Sequence, residues 1–262
     1  MAKVEGFFKL RGSLGNNVYY KRGGNYFVRK KPGVSKENLD PPIKVLPTST
    51  NMAEYGRACK GAQLIHYALS EILDSPLDPK ATGRLTDLLV KLMRTGQLGD
   101  SANRKISDGN LALLNGFSFK KREKLFLINC MHFIDRRAGQ LAVRIMNLRR
   151  SQFGKIPAEA THAIITAIAL ELDFENMRYK IHECASDPLA LTETDGVSVA
   201  LHTSATPGTK MPLVLFMHIE FIQAQEKAGF RIPDPSIYEL RIIAAETVHK
   251  IKRVRKPVRE IM

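Results

Sequence analysis

The chain has 262 residues, 44% of them hydrophobic and 25% charged, with a formal net charge of +14; this composition excludes wholesale disorder and suits one large domain or two modest ones. Its longest apolar runs, "AIITAIAL" at 163–170 and "PLVLFM" at 212–217, fall far short of the roughly 20 residues of a membrane-spanning helix, and "MAKVEGFFKLRG" sets Lys9 and Arg11 beside its only apolar pair, unlike a secretory leader. Three cysteines, Cys59, Cys130 and Cys184, with no CxxC spacing argue against a disulfide framework and a zinc knuckle, so the expectation is a soluble, unprocessed protein of the reducing cytoplasm with no membrane partner.

The amino terminus reads as a small β unit. "GFFKLRGSLG" offers a short strand, residues 12–17 a turn, and "NVYYKRGGNYFVRK" a hairpin about Gly23-Gly24, a pair suited to a type I′ loop whose two positions need positive φ. That register sets Tyr20 opposite Phe27, Tyr19 opposite Val28 and Lys21 opposite Tyr26. Pro32, Pro41, Pro42 and Pro47 make residues 32–50 an extended connector. Asn51 and Glu54 then resemble a capping box opening a helix of about 20 residues with Ala58, Ala62, Ile65, Leu69 and Ile72 on one stripe. A second helix over 82–95 carries Leu85, Leu88, Leu89 and Leu92 and stops at Gly96, and residues 97–116 read as short helix plus loop.

From residue 117 the apolar period changes to two. "LFLINCMHF", "LAVRIMNL", "HAIITAIALELDF", "MRYKIHE", "GVSVALHT", "LVLFMHIEFIQAQ" and "ELRIIAAE" give about seven strands separated by turn clusters. Regular spacing without intervening helices argues for an antiparallel β-sandwich of the immunoglobulin type, although the cysteine pair and core tryptophan of such domains are missing. The expected class is α+β: a hairpin arm with its connector over 1–50, a helical region over 51–116, the sandwich over 117–248 and a basic tail over 249–262.

The charge sits at the ends. Residues 1–36 carry nine Lys or Arg against Glu5, residues 249–262 carry six against Glu260, and residues 157–248 are acidic, with thirteen Asp or Glu against six Lys or Arg. Lys21, Arg22, Arg29, Lys30 and Lys31 are interleaved with Tyr19, Tyr20, Tyr26 and Phe27, the mixture that serves phosphate contact and base stacking; the competing reading is that the aromatics pair across the hairpin beneath solvated cations. Lys120, Lys121, Arg122 and Lys124, with Arg136, Arg137, Arg149 and Arg150, extend the set, and the tail adds Lys252, Arg253, Arg255 and Lys256.

Motifs of catalysis are weak. Cys130, His132 and Asp135 lie close in sequence, but on a strand only the first two share a face, and no second histidine pair completes a zinc site. His218 and Glu220 spell H-x-E without the P-C-x-x-C of a zinc deaminase. His162, His182 and His202 fall on or beside strands and read as surface groups, while "GRACKG" at 56–61 has Walker-like glycines inside the first helix and no following Lys-Ser or Lys-Thr.

"KLRGSLGNNVYY", "NYFVRKKPGVSKENL", "NMAEYGRACKGAQLI", "NGFSF", "HIEFIQ" and "YELRII" together resemble a bacterial family of functionally uncharacterised proteins that share a glycine-led β start, an R-x-K-x-G-x-S-K stretch and an all-β end; Pro32-Gly33 departs from that pattern. The resemblance implies a fold and supplies no activity, cofactor or catalytic residue. The expected role is non-enzymatic and without a cofactor: basic arm and tail hold a polyanion, nucleic acid before others. The alternative is a subunit of a homo- or hetero-oligomer whose arms dock on acidic sandwich faces of neighbours.

Overall fold

The computed structural model of the chain describes residues 2–3, 10–22, 24–31, 42–73, 77–78, 80–96, 103–120, 128–153, 156–225, 228–231 and 238–247, with backbone alone for 2–3, 42–50, 224–225 and 228–231. It divides into two compact units, Met1–Ser49 and Thr50–Met262. The helical region and the strands, which the sequence separates at residue 116, belong to one unit.

Among its described residues the first unit holds the start of a helix and an antiparallel sheet of four strands, β1 (Ala2–Lys3), β2 (Gly12–Leu14), β3 (Asn17–Arg22) and β4 (Asn25–Lys30), in the order β1-β4-β3-β2. The β3–β4 register is the expected one, with Tyr19 opposite Val28, Tyr20 opposite Phe27 and Lys21 opposite Tyr26. Gly24 has φ 84°, the left-handed backbone that a tight two-residue loop demands and that glycine adopts without a Cβ penalty.

Helix α1 (Pro42–Ser70) starts nine residues ahead of Asn51, which overturns both the capping-box reading and the extended connector over 42–50. Pro42 suits the first helical position, since its φ is already helical and its missing N–H has no intrahelical acceptor there. The expected stripe is in place: Ala58, Ala62, Ile65 and Leu69 are fully buried. Helix α2 (Ala81–Arg94) buries Leu85, Leu89, Leu92 and Met93. The buried Glu54 carboxylate fastens α1 to the end of α2 and the segment beyond it by accepting from Arg94 at 3.3 Å and Arg104 at 3.2 Å. Within 103–116 the short helical pieces are two 3-10 helices, Ile106–Asp108 and Leu111–Leu114, joined by loop. No helix among the described residues is long and apolar enough to cross a membrane.

The remaining strands are β5 (Cys130–Asp135), β6 (Gln140–Leu148), β7 (His162–Asp173), β8 (Arg178–Ala185), β9 (Leu189–Ala190), β10 (Val197–Ser204), β11 (Leu213–Gln225), β12 (Ala228–Arg231) and β13 (Glu239–Glu246). A three-stranded sheet has the order β10-β6-β5; a six-stranded one has the order β12-β11-β7-β8, with β13 also on β11 and β9 also on β7, every pairing antiparallel. Two cores arise from strand alternation. Ala163, Ile165, Ala167 and Ala169 of β7 and Leu213, Leu215 and Met217 of β11 meet Leu141, Val143, Ile145 and Leu201 of the small sheet. From the opposite face, Ile168, Leu170, Val214 and Phe216, with Leu240 and Ile242 of β13, meet Ile65, Leu69, Leu85 and Leu89 of the helices. The large sheet is therefore covered on both sides, by helices on one and by a second sheet on the other.

Candidate functional site

In the first unit Lys21, Arg22, Arg29, Lys30 and Lys31 are all exposed, as is Arg11. The aromatics are half-buried and engaged with one another and with these cations. Tyr20 and Phe27 stack with centroids 5.8 Å apart, Arg29 lies 5.6 Å over the Tyr20 ring, and Lys21 lies 5.7 Å over Tyr26. Cross-strand aromatic pairing, the competing sequence reading, is thus present together with the exposed charges. Cation and ring attract through the ring quadrupole, and Lys21 and Arg29 remain exposed while they make these contacts.

The second basic set behaves differently. Lys120 is half-buried, donates to the Tyr238 carbonyl at 3.2 Å and lies 5.6 Å over the Tyr238 ring, so it is engaged inside its own unit. Arg136 is likewise a structural cation: its guanidinium donates to the carbonyls of Thr209, Met211 and Glu246. Lys121, Arg122, Lys252, Arg253, Arg255 and Lys256 lie outside the described residues. Cys130 packs partly against the β-side core, where burial pushes its thiol pKa up. Asp135 caps a turn by accepting from the Arg137 and Ala138 N–H groups, while His132 is exposed. Among the described residues no three His, Cys, Asp or Glu side chains gather to hold a metal.

His218 and Glu220 stand on the same face of β11 and line a cavity of about 320 Å³ with Thr166, Glu183 and Ile72. His218 is 5% exposed, and its Nε2 meets no hydrogen-bond partner. Burial pushes its pKa down to about 4, so the imidazole is neutral at pH 7.

A polar cluster that the sequence reading left apart forms where the turn over 205–212 meets β7. The Glu171 side chain is fully buried and accepts from the Thr206 N–H and from His182 Nε2, the latter at 3.2 Å. Burial pushes the carboxyl pKa up, and hydrogen bonds from Thr206, Thr209 and His182 outweigh it, leaving a net shift below the ordinary value. On the other side of the ring, His182 Nδ1 is 3.3 Å from Ser204 Oγ. The one sequence-level signal for this cluster is a glutamate inside the apolar run "AIITAIALEL", where a charge demands partners.

Gly139 holds the opposing turn against this cluster. Its φ is 70°, its carbonyl accepts from Ala205 N–H at 2.9 Å, and a Cβ there would stand 2.4 Å from the Ala205 oxygen. Gly139→Ala is expected to cost about 2–4 kcal/mol through left-handed strain plus a backbone clash, read as a lowered urea midpoint; an unchanged midpoint would show that the turn yields freely.

The described residues define an α+β protein with a cation-rich antiparallel sheet in one unit and a helix-covered stack of two sheets in the other. No protein-family model, curated protein or solved structure matches the chain.

Proposed function

We propose that the first unit is a polyanion-binding module, nucleic acid being the partner its chemistry suits first, and that the second unit is its scaffold. One observation carries this reading. No acidic residue occurs between Glu5 and Glu37, and within that stretch Arg11, Lys21, Arg22, Arg29, Lys30 and Lys31 are exposed on one small sheet. Such a surface attracts phosphates by charge and releases their counterions. Because Tyr20 and Phe27 already stack on each other, the binding rests on phosphate contact more than on base stacking and has little sequence preference. This binding requires no catalysis and no cofactor, and a cytoplasmic setting suits it. An immunoglobulin-like scaffold belongs to the same proposal, supported by two antiparallel sheets facing across one apolar core; the helical layer is an addition to that type. Filter binding against single- and double-stranded DNA and RNA over a salt series tests it: affinity that collapses with salt supports the reading, and no binding near physiological ionic strength ends it.

A second reading, a subunit of an oligomeric assembly, is favoured by Met131, Phe133 and Met146, which are 60%, 58% and 59% exposed. Met131 and Phe133 pair with Arg144 and Ala142 and line with them an open groove of about 690 Å³ on the three-stranded sheet. Exposed apolar groups gathered on one face mark contact surfaces. Light scattering of the full chain tests its homo-oligomeric form: a monomeric mass at high protein concentration removes that form.

A further inference from the structure

We propose that Ser204 is an activated nucleophile, with His182 as its general base and Glu171 as the positioning residue, and that it accepts acyl groups from small, unhindered esters. This goes beyond the polyanion reading and does not depend on it. The three side chains come from three strands, β10, β8 and β7, and form one hydrogen-bonded line. Glu171 accepts from His182 Nε2 at 3.2 Å, and His182 Nδ1 faces Ser204 Oγ at 3.3 Å.

The direction of each bond is set by chemistry. Glu171 is buried, depressed in pKa and therefore an acceptor, which requires Nε2 to carry the proton. In a neutral imidazole the other nitrogen then presents its lone pair, and that nitrogen is the one beside the serine hydroxyl. A carboxylate that fixes the tautomer, a basic nitrogen and a hydroxyl within reach are the parts of an activated serine, recognised by geometry and role and not by sequence order. The line is also rigid. Glu171 is tied to the Thr206 N–H, Lys180 Nζ donates to Thr206 Oγ1 at 2.9 Å, and Arg136 holds the carbonyls of Thr209 and Met211. Ser204 itself is exposed, so an ester reaches it from solvent.

In the reaction, Ser204 Oγ bonds to the ester carbonyl carbon as its proton passes to His182 Nδ1. The tetrahedral adduct collapses, the bond to the leaving alkoxide breaks, and the imidazolium returns the proton to that oxygen. Water repeats the sequence on the acyl-serine, releasing the carboxylic acid and restoring the hydroxyl.

The test uses a fluorophosphonate probe on the full-length chain without nucleic acid. Oγ bonds to phosphorus, fluoride leaves, and the proton is taken by His182 and passed to solvent. The expected result is one adduct, mapped to Ser204 by peptide mass spectrometry, absent in Ser204→Ala and retained in Ser198→Ala, the exposed serine on the same strand. His182→Asn should slow labelling by about 100-fold or more, the usual contribution of a general base. Glu171 is read separately by the ¹⁵N signature of His182: one tautomer in the native chain, a mixture in Glu171→Gln. Urea midpoints of Ser204→Ala and Ser198→Ala near the native value establish that both remain folded. No adduct, an adduct only at other residues, or native-rate labelling of a folded His182→Asn protein would each overturn the proposal.

Discussion

Replacing Lys21, Arg22, Arg29, Lys30 and Lys31 together by glutamine is expected to abolish salt-sensitive binding to duplex DNA at physiological ionic strength. Five phosphate contacts give a slope of log affinity on log salt of about −4.5, so the native chain should lose roughly 500-fold between 50 and 200 mM salt. A single change such as Lys30→Gln should weaken binding to all sequences alike and shallow the slope by about one. All five side chains are exposed, so the fold should survive, as circular dichroism would register. A slope indifferent to these substitutions would move the partner's contact surface elsewhere; affinity that differs strongly between DNA sequences would argue for base readout in place of phosphate contact.

Acid should destabilise the second unit before most carboxylates titrate, and His218 is the cause. Its pKa falls from an ordinary 6.5 to about 4 in the folded chain because the ring is buried. Between those values the unfolded chain binds a proton that the folded chain does not, so stability declines as pH drops through this window and is unaffected by this group above it. The full difference corresponds to about 3 kcal/mol. Urea unfolding at pH 7 and at pH 4.5 should show most of this loss in the native chain and little of it in His218→Phe. Glu171 acts in the same direction at lower pH: its depressed pKa adds stability that is lost as the carboxylate protonates, below about pH 4. A His218 ring that titrates near 6.5 by NMR would refute the burial argument.

Local patterns were legible and the layering was not. The β3–β4 register comes from two glycines between alternating residues, and the α1 stripe from residues spaced at three and four, because both depend on neighbours in sequence. The strand at 213–225 is likewise bounded as its alternation suggests. The helical cover on the large sheet was written in "AIITAIAL", yet a run apolar on both faces reads as one buried strand without saying what buries each side. In the structure Ile168 and Leu170 face helices, whereas Ala167 and Ala169 face the small sheet. Two short strands, Leu189–Ala190 and Ala228–Arg231, lack any pattern of their own and exist through their partners. The Ser204–His182–Glu171 line depends on strand register: Ala169 pairs with His182 and Glu171 with Lys180, which sets the glutamate diagonal to the imidazole. Spacing in sequence contains no trace of that diagonal.

Through their middles, strands β7 and β11 are covered on both faces, and this bears on how the chain is made. A ribosome releases α1 and α2 long before the strands they cover, so these helices wait with Leu69, Leu85 and Leu89 uncovered until residue 242 has emerged. A fragment beginning at residue 117 would carry the reverse defect, a bare wall of Ile168, Leu170, Val214 and Phe216. Either half expressed alone should precipitate, whereas the two co-expressed should rescue one another.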